Sequence, residues 1–401
     1  MKTFFQNFLK RCSLNIQIAL VTFWGGLFFA ISCSESHIHL SSIQIQPGKL
    51  NAHPVLSCMD SVSYIPLETP AKKIMGEITK IIPFRDRYYL IDGRTSQSVF
   101  CYSRNGKLLF QLRNIGKGPG EYGMLADFTL DKERGYLEIL DPSQQKMIRY
   151  SPEGQYISEV FCPYDAVEIA KADTAEYVLY TTIDNTRQAG ESLAFNLLWV
   201  DTQGKVLAKA FPYLGVIHEL GFWGRLVKGE EYLLFNYGLS NTIYQLKNRQ
   251  AVPLYQVDFG KSTFPFDARN KTLSVDEMER FVMELYESDY AYGLYLFAET
   301  NRYLSFCYRY KNRSGQWALY AKASQKAYNF PIEGVDNELF AAPIAAEGDA
   351  FIGAVASHRL KQLVADAEKK GLPVSQRLKR LAQNRSDFDN PVLVRMYIHN
   401  F

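Results

Sequence analysis

The chain has 401 residues, 47% of them hydrophobic and 14% aromatic, and its 45 basic and 42 acidic side chains leave a net charge of +3. The apolar share is ample for a packed core, and the aromatic share suits sheets stacked on sheets. So even a charge balance gives no electrostatic case for nucleic acid, which demands a strongly basic face.

The first 32 residues read as an address signal. Lys2, Lys10 and Arg11 make a positive start, and Ile16 to Phe29 is an apolar run interrupted by Gln17 and Thr22. Such a run is shorter than the roughly 20 residues needed to span a bilayer. Ala30-Ile31-Ser32 then leads into Cys33, a pattern that resembles a bacterial lipobox, whose cysteine is acylated and becomes the mature N-terminus. Several acyl chains would hold the protein at a membrane surface without any spanning segment. The alternatives are an uncleaved N-terminal anchor and a plain signal peptide with an incidental cysteine.

On the lipoprotein reading the chain divides into a signal peptide (1–32), a tether (33–60) and a folded domain (61–401). The tether carries Ser, His, Gln and Pro with little periodicity, so it is expected to be mobile or loosely packed. His37 and His39 form an H-x-H pair, but no further ligand cluster stands beside them and they read as polar tether. Cys58, Cys101, Cys162 and Cys307 have no metal-like spacing, and no disulfide is expected of them.

From Ile78 onward one unit recurs. Arg87-Tyr88-Tyr89-Leu90-Ile91-Asp92 is an aromatic and aliphatic strand, followed by a polar turn, the strand Ser98 to Tyr102, the turn Arg104-Asn105-Gly106-Lys107 and a further strand to Leu112. The anchor returns at Tyr136, Tyr177, Tyr232, Tyr303 and Phe351, which makes six units. The turn glycines fall at 106, 154 and 204, steps of 48 and 50 residues, and supply the positive φ that tight hairpins need. No four-stranded sheet of this pattern can bury both of its faces alone, whereas six stacked around an axis can. The fold class expected is all-β, a six-bladed propeller of four-stranded antiparallel blades.

Two helical insertions stretch the period, near 274–290 and 357–383. Ser274 can cap the first, with Asp276 and Glu277 at its positive end and Met278, Phe281, Val282, Leu285 and Tyr286 on one face. Both read as rim decorations, with a helical lid as the functional alternative. Val62 to Leu67 precedes the first unit and has no partner there. It is expected to close the ring as the outer strand of the last blade beside Val392 to Ile398, an edge position that tolerates Pro66.

Arg113-Asn114-Ile115-Gly116-Lys117-Gly118-Pro119-Gly120-Glu121-Tyr122 is the most distinctive local motif. Together with Tyr64-Ile65-Pro66-Leu67-Glu68 and Asn390-Pro391-Val392-Leu393-Val394, it resembles the six-bladed β-propeller lipoproteins of Bacteroidetes, relatives of NHL-type propellers. The resemblance covers roughly Ser61 to Phe401. It implies the fold and an outer-membrane lipoprotein on the periplasmic or cell-surface side. It carries no established activity and no catalytic residues.

The glycine motif lacks the spacing of a phosphate loop and precedes a strand, so it reads as a tight inter-blade crossing across which Glu121 and Arg113 could pair. His218, Glu219, His358 and His399 are scattered, and no G-x-S-x-G or H-E-x-x-H occurs. No catalytic residue, metal site or cofactor is assigned. The function expected is a lipid-anchored, monomeric propeller that binds a glycan, peptide or partner protein without catalysis. Arg113, Lys117, Glu121, Tyr122, Trp223 and Arg225 are the candidate contacts at one mouth of the ring, because they combine charge with aromatic surface. The alternative is an extracytoplasmic propeller enzyme, such as a metal-dependent lyase or hydrolase.

Overall fold

A computed structural model describes residues 40–399 apart from 52–54, 72, 182–194, 213–223, 230–231, 266–273, 312–313, 333–340 and 373. Cys33, His218, Glu219 and Trp223 lie outside the described residues. The strands form six sheets arranged as a six-bladed β-propeller. Blade 1 is Lys80–Phe84, Arg87–Asp92, Ser98–Ser103 and Leu108–Leu112, and blade 2 is Asp127–Leu130, Leu137–Asp141, Lys146–Tyr150 and Tyr156–Phe161. Blade 3 is Ala166–Lys171, Glu176–Thr181, Phe195–Asp201 and Val206–Pro212. Blade 4 is Arg225–Lys228, Leu233–Asn236, Thr242–Lys247 and Gln250–Asp258, and blade 5 is Ala291–Glu299, Tyr303–Tyr310, Ser314–Ala321 and Lys326–Pro331. Blade 6 takes Ala345–Glu347, Ala350–Val355 and Val392–Ile398 from the C-terminal part and Met59–Pro66 from the N-terminal part.

The recurring strand pattern has a direct packing consequence. The buried apolar side chains of the described residues fall into six clusters, one at each junction between neighbouring blades. Tyr89, Cys101, Phe128 and Ile139 join blades 1 and 2, for example, while Val178, Trp199, Leu226 and Phe235 join blades 3 and 4. Many of the large rings of the described residues are spent there: Tyr88, Tyr102, Tyr150, Tyr180, Tyr308, Trp199 and Trp317 are all fully buried. Cys58, Cys101, Cys162 and Cys307 are buried thiols outside any disulfide, and burial pushes the Cys101 thiol up to about 11.

The ring closes as the N-terminal strand requires. Val62 pairs antiparallel with Met396 and Ile65 with Leu393, so Met59–Pro66 is the outer strand of blade 6. Gly106, at φ 83°, sits where a Cβ would meet the Pro66 carbonyl oxygen at 2.2 Å, so the first blade's hairpin packs directly onto the closing strand. The helices are α1 (Val275–Glu287), α2 (Ser357–Lys369) and α3 (Gln376–Gln383). Ser274 and Glu277 form a capping box on α1, and Leu285 sinks into the cluster between blades 3 and 4. Leu360, Leu363 and Leu378 bury α2 and α3 against blades 5 and 6. Among the described residues no helix is long and apolar enough to cross a membrane.

The stretch expected to be a loose tether is partly folded. Ser41–Gln44 adds a fifth strand to blade 4, parallel to its outer strand, with Ile43 facing Val257 across the pairing. Ile43 and Ile45 are buried, Gly48 donates to Gln316 Oε1 at 3.2 Å, and the Asn51 N–H donates to the Asn329 carbonyl at 2.9 Å. The alternation Ile43-Gln44-Ile45 is too short to stand out from a polar segment, yet it suffices to cover an edge left open by the blade.

Truncation separates these roles. Removing residues through Asn51 deletes Ile43 and Ile45 and is expected to cost on the order of 3–6 kcal/mol, at about 1.5–3 kcal/mol per buried side chain. Removing residues through Leu67 also opens the ring and should lower the urea midpoint further. Equal midpoints for the full domain and the Asn51 truncation would show that the fifth strand adds nothing.

Candidate site along the propeller axis

The innermost strand of each blade runs the same way. Each begins at the end where the chain crosses from the previous blade (the crossing end) and finishes where a hairpin leads to the second strand (the hairpin end). Inner strands expose backbone donors toward the axis, and these must be satisfied. Here the preceding blade supplies the acceptor. Asp127 Oδ2 accepts from the Ile169 N–H at 2.9 Å, Thr129 Oγ1 from Lys171 N–H at 3.0 Å, and Glu168 Oε2 from Leu226 N–H at 2.6 Å.

The carboxylates that cap these edges are paired in turn. Lys80 Nζ lies 2.6 Å from Asp127 Oδ2 and also donates to the carbonyls of Phe128 at 2.9 Å and Ile169 at 3.0 Å, so all three of its donors are used. Arg225 lies 3.0 Å from Glu168 Oε1 and reaches across the axis to the Thr79 carbonyl at 3.1 Å. Two cations and two carboxylates from four blades thus form a neutral plug at the crossing end. Burial raises the Glu168 carboxyl above the ordinary glutamate range, with Arg225 opposing the shift and Asp127 adding to it.

Beyond the plug lies an axial cavity of about 290 Å³. Ile82, Leu130, Ala170, Val227 and Ile344 are among its apolar walls, and its lining reaches Lys132, Lys171, Asp173 and Lys228 at the hairpin end. Behind that end, Glu138 Oε1 accepts from Arg149 at 2.8 Å and from the Tyr177 hydroxyl at 2.6 Å. Among the described residues no three His, Cys, Asp or Glu side chains gather as metal ligands.

The residues singled out from the sequence are distributed as follows. Arg225 lines the axial cavity. Arg113 and Lys117 are exposed on the glycine crossing, where Arg113 donates to the Ser96 carbonyl at 3.0 Å. Glu121 accepts from its own loop at the Gly118 N–H, 2.8 Å away, instead of pairing with Arg113. Tyr122 is fully buried between blades 1 and 2, its hydroxyl donating to the Gln97 carbonyl at 2.7 Å. Its aromatic face is packing and offers no surface. Lys80, Asp127 and Glu168 did not stand out in the sequence. The available signal was one charge at the start of each apolar inner strand: Lys80-Ile81-Ile82, Asp127-Phe128, Glu168-Ile169 and Arg225-Leu226.

A family profile described as a domain of unknown function (DUF4934) matches residues 42–397. No curated protein matches the chain. Among solved structures, a Bacteroides fragilis protein described as exported is 17% identical, covering 90% of this chain and 100% of its own, with a TM-score of 0.72. A member of the DUF4221 family from Bacteroides vulgatus is 10% identical, covering 85% of this chain and 97% of its own, with a TM-score of 0.53. At these identities the likeness is one of fold.

The plug makes a pH prediction. A carboxyl whose folded value is raised favours the folded state when protonated, so its contribution is full below about pH 4.5 and is lost as pH rises through the raised value. Glu168→Gln keeps an acceptor for Leu226 N–H and removes the titration. Urea unfolding from about pH 4 to about pH 8 should show wild type losing stability relative to the variant as pH rises. Parallel curves would show that Glu168 is not the group responsible.

Proposed function

The chain belongs to the DUF4934 family of unknown function, and we propose that it is a ligand-binding propeller held at the bacterial envelope by a lipid on Cys33. The observation that carries the binding role is the axial cavity, with a plugged crossing end and apolar walls leading to charged hairpins. Binding pockets are concave and mostly apolar, with a few convergent polar groups fixing orientation, and this cavity has that character at the small end of the usual size range. A glycan, a peptide or a segment of a partner protein would enter from the hairpin end. The exposed Arg113 and Lys117 of the glycine crossing form the second candidate contact surface, at the opposite end of the ring.

The envelope address rests on the leader, with Cys33 following Ala30-Ile31-Ser32. The Bacteroides fragilis structure described as exported supports it. A lipid anchor needs no spanning helix.

Two experiments test these statements separately. Cys33→Ala should abolish labelling by a palmitate analogue and leave precursor or soluble protein. Retained labelling and membrane association would refute the anchor. For binding, the domain from Leu40 onward is screened on glycan and peptide arrays, then repeated as Val227→Phe, which fills the axial cavity, and as Arg113→Ala with Lys117→Ala. The expected result is loss of the array signal with Val227→Phe alone, at unchanged melting temperature. Loss only with the Arg113 and Lys117 variants would move the ligand to the glycine crossing.

A further inference from the structure

The two ends of the axial cavity differ in how their charges are used. At the crossing end every charge has a partner: Lys80 with Asp127, and Arg225 with Glu168. At the hairpin end Asp131 and Asp173 each use one carboxylate oxygen in a turn, while Lys132 and Lys228 are unengaged. Asp131 Oδ1 accepts from the N–H groups of Glu133 and Arg134 at 3.0 and 3.1 Å, and Asp173 Oδ1 accepts from Ala175 N–H at 2.7 Å. Lys132 and Lys228, both exposed on the cavity lining, make no hydrogen bond or ion pair among the described residues. Lys171, whose side chain is 8% exposed, makes no hydrogen bond through its ammonium. Its closest acid oxygen is Glu138 Oε2 at 3.8 Å, and it lies 3.8 Å from the centre of the Tyr177 ring.

Two ammonium groups, those of Lys132 and Lys228, therefore stand at one end of an apolar-walled cavity with unused donors, while Lys171 is turned toward Glu138 and the Tyr177 ring. Like charges so placed repel, and a bound anion would relieve that repulsion while filling their hydrogen-bonding capacity.

We propose that the axial cavity takes a small amphipathic anion, its carboxylate or phosphate head between Lys132 and Lys228, and its apolar body against Ile82, Leu130, Val227 and Ile344. Size follows from volume. A cavity of about 150 Å³ accommodates one benzene ring, so about 290 Å³ accommodates roughly a dozen non-hydrogen atoms. This assignment rests on the reading of the axial cavity as the binding site and adds the chemistry of its occupant.

The test uses four eight-carbon probes on the domain from Leu40 onward: octanoate, octyl phosphate, octanol and octylammonium, each titrated calorimetrically at low and high salt. At least one of the two anions is expected to bind at least tenfold more tightly than octanol and octylammonium, with affinity falling as salt rises. A preference for the carboxylate over the phosphate, or the reverse, identifies the head. The Lys132→Gln, Lys228→Gln double variant should keep its melting temperature and its octanol affinity while losing the anion preference. Octanol binding as tightly as either anion, with the double variant unchanged, would overturn the anion assignment and leave the cavity as a binding site. Tightest binding by octylammonium would overturn it outright. No binding by any of the four also overturns it, and the axial reading then stands or falls on the Val227→Phe array experiment.

Discussion

The structure depends on one constraint: each four-stranded sheet carries apolar side chains on both of its faces. Tyr88 and Leu90 of blade 1 pack toward blade 6, while Tyr89 and Ile91 of the same strand pack toward blade 2. An alternating strand with no polar face has no stable solution as a single layer, and a neighbour must cover each side. Repetition around a closed ring supplies both neighbours to every blade, which is why the core is six junctions and not one centre. The closing strand Met59–Pro66 completes blade 6, and the added strand Ser41–Gln44 covers the outer edge of blade 4.

Closing a ring of sheets creates a second constraint at its axis. The inner strands are also edges, and their backbone donors face a narrow channel. Asp127, Thr129 and Glu168 satisfy those donors by reaching from one blade to the next, and Lys80 and Arg225 neutralise the two carboxylates. A buried carboxylate without a cation would be costly, so the edge requirement draws in the whole ionic plug. The plug is thus a structural device first. By closing one end of the axis it leaves the hairpin end, with its lysines, as the chemically available one.

The fold is shared with proteins only 10–17% identical, which is understandable on the same grounds. Alternation, turn glycines and strand spacing define a blade, and many residues satisfy them. The axial charges obey a different rule, since each must fit particular partners on other blades. Likeness of fold therefore says little about what occupies the axis.

By itself the sequence determined the architecture: six aromatic anchors, glycines at 106, 154 and 204 and an unpartnered strand at Val62 to Leu67 specify blades, hairpins and closure. Those are local signals, set by backbone conformation and by two-residue periodicity, and they survive without knowledge of neighbours. The Ser274 cap of α1 was legible for the same reason. Only the tertiary structure decided that Ile43 and Ile45 cover blade 4 and that Tyr122 is buried packing. It also decided that Lys80, Asp127, Glu168 and Arg225, spread over residues 80 to 225, meet on one axis. A charge near the start of an apolar strand looks the same in sequence whether it faces solvent or another blade. What distinguishes the two is the ring, which brings the starts of distant strands within hydrogen-bonding distance of one another.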